Sequence, residues 1–255
     1  MKSTNLLRAL RPFIGLGIVL VVFSLHSEAD GFLSLYNLKT VANQTVITGL
    51  AAIGATFVIV SGGIDLSVGS VIALSSVVAA LVLRAEAGVG LAFVSATMAG
   101  LACGLVNGLV ITVLRIAPFV ATLGMLGVAR GLAKWVAGEQ KVDVPPAALE
   151  AGSLQQWMTN RPVPEWLYFS PGVWTTLSLA LVAAFVLRRT VFGVHVTAIG
   201  SNEKTARLCG VRVEQTKGAV YALAGAVAGL AGCMLCARLT VGNPTAALGQ
   251  ELDVI

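Results

Sequence analysis

Residues 61–70 read SGGIDLSVGS and join two long uncharged runs, with one carboxylate, Asp65, between them. Paired glycines break a helix easily. Asp65 or Ser67 then suits the N-cap of the next helix, whose first backbone N–H groups lack intrahelical acceptors. The stretch is expected to be a break between two apolar helices. Irregular backbone at membrane depth survives only when buried in protein or facing water. An ionised Asp near the bilayer centre costs about 2.5–3.5 kcal/mol on insertion scales, so it calls for polar partners. The expected role of Asp65 is a structural cap that also shapes a polar route, rather than direct contact with a solute.

The flanks of this break set the class. The chain has 255 residues, 56% hydrophobic and 11% charged, with a mean hydropathy of +0.88. A soluble domain carries roughly 25% charged residues. Most side chains here must therefore be solvated by lipid or by other helices. The net charge of +5 does not indicate nucleic acid, because the basic residues sit in short loops between apolar runs.

A spanning helix needs about 20 mostly apolar residues. Seven such runs are expected: Pro12–Leu25, Thr40–Ile64, Leu66–Leu83, Ala87–Leu114, Ile116–Ala137, Ser170–Leu187 and Gly218–Ala237. They are too long and too unalternating for barrel strands. The fold class is all-α, a polytopic membrane helix bundle forming a single domain over residues 1–255. The first run can extend backward through Leu6, Leu7 and Leu10. It also has the form of a signal peptide, with Arg8 and Arg11 before it and Ser27-Glu28-Ala29 as a cleavage site. With many spans following, an uncleaved first helix is expected. Arg130 and Lys134 near the end of the fifth run are expected to snorkel.

Lys and Arg set the orientation. With the N-terminus inside, the cytoplasmic pieces hold Lys2, Arg8, Arg11, Arg115, Arg188, Arg189, Lys204, Arg207, Arg212 and Lys217. Residues 138–169, with Pro145, Pro146, Pro162, Pro164, Trp157, Trp166 and Tyr168, then form an external loop with interfacial aromatics. Residues 188–217 face the cytoplasm. The chain stops at Glu251-Leu252-Asp253-Val254-Ile255 as another apolar run begins, which reads as a shortened chain or a fragment.

Several motifs have packing readings. Gly100-x-x-x-Gly104-x-x-x-Gly108 and Gly225-x-x-x-Gly229 let helix backbones approach closely. Cys233 and Cys236 form a C-x-x-C inside an Ala/Gly-rich apolar segment, with no second pair and no nearby His. Small residues packing between helices are expected there, not a metal site. Asn43 and Gln44, with Thr45 and Thr48, begin the second span, and Asn107 lies inside the fourth. Amides in apolar helices bond a neighbouring helix or face a cavity. With Asp65 and Ser67 they are the candidates for lining the path of a polar, uncharged solute.

Residues 198–211 read AIGSNEKTARLCGV. Ser201 or Asn202 can cap a short helix and Gly210 can end it, with Glu203, Lys204, Thr205, Ala206 and Arg207 between. A capped helix with its own stop signal is more than a tether needs. It is expected to dock a cytoplasmic partner.

SGGIDLSVGSVIAL, APFVATLGMLGVARGLA, AIGSNEKTARLCGV and KGAVYALAGAVAGLAG together resemble the ribose/branched-chain-amino-acid type permeases of bacterial ABC importers, in their ribose-type sugar branch. The resemblance runs from about Asn37 to the end. The cytoplasmic stretch is similar to the family's Ala-Ala-x-x-x-Gly coupling element, with Thr205-Ala206 where two alanines are usual and Gly210 in its place. The resemblance implies a permease subunit in the bacterial inner membrane, in a homo- or heterodimer with a second permease subunit and in contact with membrane lipid. It implies a periplasmic sugar-binding protein that delivers the solute and a cytoplasmic ABC ATPase that drives alternating access. It also implies about three further spans after the GQELDVI position.

No G-x-x-x-x-G-K-[ST] loop and no Gly-Lys dipeptide occurs, so ATP hydrolysis is expected from a separate partner. No H-E-x-x-H or G-x-S-x-G occurs, and His26 and His195 are expected in solvated loops. Neither catalytic residues nor a cofactor are expected. The alternative is a stand-alone secondary transporter of a small polar solute, coupled to an ion near the broken helix. Against it, Asp65 is the only acid expected near membrane depth, and the capped cytoplasmic helix would go unused.

Overall fold

The computed structural model describes residues 14–15, 17–23, 32, 34–146, 154–159 and 167–254. The elements in order are helices α1 (Leu35–Val60), α2 (Val68–Arg84), α3 (Val89–Val113) and α4 (Pro118–Val136), then strand β1 (Val142–Asp143). Helices α5 (Pro171–Arg189), α6 (Val191–Ser201), α7 (Glu203–Leu208) and α8 (Val213–Leu239) follow, then strand β2 (Val241–Gly242) and helix α9 (Gln250–Val254). A short 3-10 helix covers Leu154–Met158. Five of the helices, α1, α3, α4, α5 and α8, are long and apolar enough to cross a membrane. The protein is an all-α polytopic helix bundle. Helix α2, the third expected span, is 17 residues long and almost wholly buried within the chain.

Helix starts follow the sequence. Ser34 Oγ accepts the Asn37 N–H at 3.2 Å and opens α1. Pro118 and Pro171 stand at the first helical positions of α4 and α5, where the missing N–H costs nothing. Of the first expected span, residues 14–15 and 17–23 are helical. The Ser27–Ala29 cleavage site, His26, Trp166 and the proline-bearing segment around Pro162 and Pro164 lie outside the described residues.

The chain divides into two compact units, Met1–Ala42 and Asn43–Ile255. Within the second, α8 is the central helix. It lies against α3 through the two glycine faces read from the sequence. A Cβ on Gly104 would stand 2.2 Å from the Tyr221 carbonyl oxygen, and one on Gly225 would stand 2.3 Å from that of Gly100. No larger residue fits such a crossing. Cys233 and Cys236 are fully buried on the same helix among apolar neighbours. Only Gly172 is fully buried on α5; Val173, Leu179, Ala183, Val186 and Leu187 pack partly against the core, and residues such as Leu181 and Phe185 are exposed.

Two local readings are corrected. Arg130 does not snorkel. Its Nη1 donates to the carbonyls of Pro244 at 3.0 Å and Ala246 at 2.7 Å, pinning the turn after β2 to α4. Those carbonyls belong to a tight turn and lack ladder partners, so the guanidinium satisfies them. His195 lies on helix α6, not in a loop, because Thr190 caps that helix by accepting the Gly193 N–H at 3.3 Å. Trp157, on the 3-10 helix, packs against Phe93 with ring centroids 4.7 Å apart.

Candidate functional site

The 61–70 stretch forms a break between α1 and α2. Helix α1 stops in a Schellman arrangement: Gly62 N–H donates to Ile59 O, Gly63 N–H to Val58 O, and Gly62 has φ +79°. Only Gly, and sometimes Asn, takes that left-handed position easily. Residues 64–66 then run without helix, and α2 begins.

Asp65 caps α2 from two residues away. Its Oδ1 accepts the Ser67 N–H at 2.8 Å and the Ser67 Oγ–H at 2.6 Å. Ser67 occupies the N-cap position but makes no side-chain cap of its own. Instead its hydroxyl accepts a hydrogen bond from Asn107 Nδ2 of α3 at 3.1 Å. Thr122 of α4 closes the other side, its Oγ1 accepting the Leu66 N–H at 3.2 Å and lying 3.3 Å from the Ile64 carbonyl. Thr122 thus satisfies backbone of the break from α4, Asn107 of α3 holds the Ser67 hydroxyl, and Ser67, Asn107 and Thr122 are all buried. Asp65 is half-buried, and its second oxygen accepts no hydrogen bond among the described residues.

Of the sequence candidates, Asp65, Ser67 and Asn107 come together here. Asn43 does not join them. It accepts a hydrogen bond from Ser170 Oγ at the start of α5. Residues 43 to 60 of α1 span about 25 Å at 1.5 Å per residue, so Asn43 is far from the break. Gln44 is exposed. Sequence reading missed Thr122, a single hydroxyl in an apolar helix with no motif around it. It also missed Tyr221 of α8, whose buried hydroxyl has no hydrogen-bond partner among the described residues and leaves no room for a Cβ on Gly63. Only the approach of α8 to the break reveals it.

The second group is the α6–α7 corner. Asn202 caps α7 by accepting the Thr205 N–H at 3.0 Å, whereas Ser201 ends α6. At the other end Gly210 has φ +86°, its N–H donates to Arg207 O, and Val211 N–H donates to Ala206 O. That is a second Schellman stop. Ala206 is buried against Ile199 and Val213 and holds α7 on its neighbours.

Two charges of α7, Glu203 and Arg207, pair with α8 while remaining partly exposed. Lys217 Nζ of α8 donates to Glu203 Oε2 at 2.6 Å, and Arg207 pairs with Glu214 of α8 and, at 3.4 Å, with Glu203. The hydrogen bond from the Lys217 ammonium holds the Glu203 carboxyl below its ordinary range. What α7 presents outward is Lys204, Thr205 and Leu208, the last 89% exposed.

Residues 37–255 match the family model described as branched-chain amino acid transport system / permease component. The chain is 36% identical over 258 residues to the ribose import permease protein RbsC of Bacillus subtilis, covering 98% of this chain and 75% of that one. RbsC of Escherichia coli K12 is 34% identical, with 94% and 73% covered. The L-arabinose ABC transporter permease protein AraH of Azospirillum brasilense is 35% identical, with 93% and 68% covered. No solved structure matches the chain.

Proposed function

Because this chain belongs to the branched-chain amino acid transport system / permease component family, we propose that it passes a sugar of ribose or arabinose size across the inner membrane. It is a multi-pass membrane transport subunit and not itself the enzyme. The observation that carries the proposal is the polar break between α1 and α2. A carboxylate oxygen with no hydrogen-bond partner among the described residues stands there beside hydroxyl and amide groups of three helices, inside an otherwise apolar bundle. A sugar offers hydroxyl donors, and a carboxylate oxygen and backbone carbonyls accept from them.

Energy in this reading comes from a separate cytoplasmic ATPase, and the solute from a binding protein outside. Residues 188–217 lie on the cytoplasmic side, and α7 seats in the ATPase. Lys204 and the bare apolar Leu208 form its contact face, while Glu203 and Arg207 hold it to α8. A second permease subunit and lipid cover the exposed faces of α4 and α5.

The test is uptake by the intact transporter in vesicles with its ATPase and binding protein. Labelled ribose or L-arabinose should accumulate only with ATP. Entry of neither sugar overturns the solute assignment. Accumulation driven by an ion gradient without ATP overturns the importer and favours a secondary transporter.

A further inference from the structure

Helix α6 carries two glycines seven residues apart, and each presses on a helix end. A Cβ on Gly193 would stand 2.3 Å from the Leu187 carbonyl oxygen at the end of α5. One on Gly200 would stand 1.9 Å from the Val60 carbonyl oxygen and 3.3 Å from Gly62 N, at the end of α1. Such distances leave nowhere for a side chain to go, because the obstacle is backbone. Val60 is the last residue of α1, and the last carbonyls of a helix have no intrahelical donor. The contact is therefore made on the rim of the polar break, five residues before Asp65.

Gly200 is also one residue from the end of α6, and Asn202 caps α7 immediately after. Thus α7 is joined to the break by a stretch of three residues, 200–202, and one backbone contact. The ion pairs of Glu203 and Arg207 with α8 fix the other side of α7, so α7 cannot move without carrying Gly200 or breaking those pairs.

We propose that Gly200 is a positioning residue for transport, and that its contact with Val60 and Gly62 transmits displacement of α7 to the broken helix. The proposal rests on the reading of α7 as the ATPase dock. Rigid packed contacts of this kind pass small shifts on because packed interfaces have discrete arrangements and do not deform continuously. The neighbouring left-handed Gly62 is where α1 ends, so a shift there changes how the chain enters the Ile64–Leu66 segment that Thr122 and Asp65 hold.

The experiment compares Gly200→Ala, Gly62→Asn and Leu208→Glu in the intact transporter. Each is measured for co-purified ATPase, basal ATP hydrolysis, and sugar uptake per assembled complex. Leu208→Glu tests the dock alone and should lose the ATPase. If it keeps the ATPase and full uptake, the docking reading fails whatever Gly200 does. Gly200→Ala should keep the ATPase and basal hydrolysis while uptake per complex falls roughly tenfold. Gly62→Asn disturbs the same contact more gently, since Asn tolerates a left-handed backbone. A Cβ there meets Gly200 at an ordinary 3.6 Å. Gly62→Asn should show a smaller loss of uptake per complex with normal assembly, and it decides the matter if Gly200→Ala does not assemble. Wild-type uptake per assembled complex in whichever of the two variants assembles, with only yield lost, makes the contact plain packing and overturns the proposal.

Discussion

Asp65 commits one carboxylate oxygen to the backbone and hydroxyl of Ser67 and leaves the other open. The first oxygen is a helix cap, a task an amide does about as well as a carboxylate. Asp65→Asn should therefore assemble at near wild-type abundance. Asp65→Leu removes the acceptor and strands the Ser67 N–H and hydroxyl. It should lower abundance and thermal stability by an amount like the about 0.5–2 kcal/mol typical of a lost cap. Membrane abundance and the unfolding midpoint in detergent check this, and equal behaviour of the two variants refutes the capping role. Any loss of sugar uptake in a well-assembled Asp65→Asn belongs to the open oxygen, because the cap is preserved.

At the scale of elements, the glycine faces divide into occupied and empty ones. Gly104 lies on the α3–α8 crossing against the Tyr221 carbonyl, whereas Gly124 on α4 has nothing within 4 Å of the position a Cβ would take. Alanine in a helix interior gains roughly 0.5–1 kcal/mol over glycine when space allows. Gly124→Ala is expected to be neutral or slightly stabilising. Gly104→Ala must move a backbone, and overpacking a close contact costs about 1–3 kcal/mol. Its unfolding midpoint should fall clearly below that of Gly124→Ala. If the two match, the crossing is looser than the structure has it. The sequence shows GxxxG spacing on both helices but not which faces meet, because spacing gives a face and not its partner.

For the whole molecule, the expected orientation follows from the distribution of Lys and Arg. The Lys/Arg bias sets 188–217 inside and 138–169 outside. Ser201 and Gln140 are both exposed, one in each connection. In a cysteine-free background, an impermeant thiol reagent on intact cells should label Gln140→Cys and leave Ser201→Cys unlabelled until the membrane is permeabilised. The reverse pattern inverts the topology and removes α7 from the ATPase side.

Five of the seven expected spans, the break at Gly62-Gly63 and the stop at Gly210 were legible in the sequence, because composition and backbone freedom are local properties. Apolar run length marks a helix that can cross a membrane, and a glycine marks a ready left-handed stop, although Glu86 and Thr240 take left-handed φ of +56° and +58° at helix ends without one. The polar cluster was legible only in part. Asp65, Ser67 and Asn107 stood out as polar groups in apolar runs. Thr122, 56 residues after Leu66, carried no local mark and was identified only by the packing of α4 on residues 64–66. The same holds for α6, whose residues 191–201 read as part of a loop until its cap and its two close glycine contacts are seen. Asn43 bonds a neighbouring helix, the first of the two outcomes expected for an amide in an apolar helix, but the sequence does not say which helix; the fold gave it Ser170. Which polar groups satisfy one another is set by distances between helices, and those exist only once the bundle has packed.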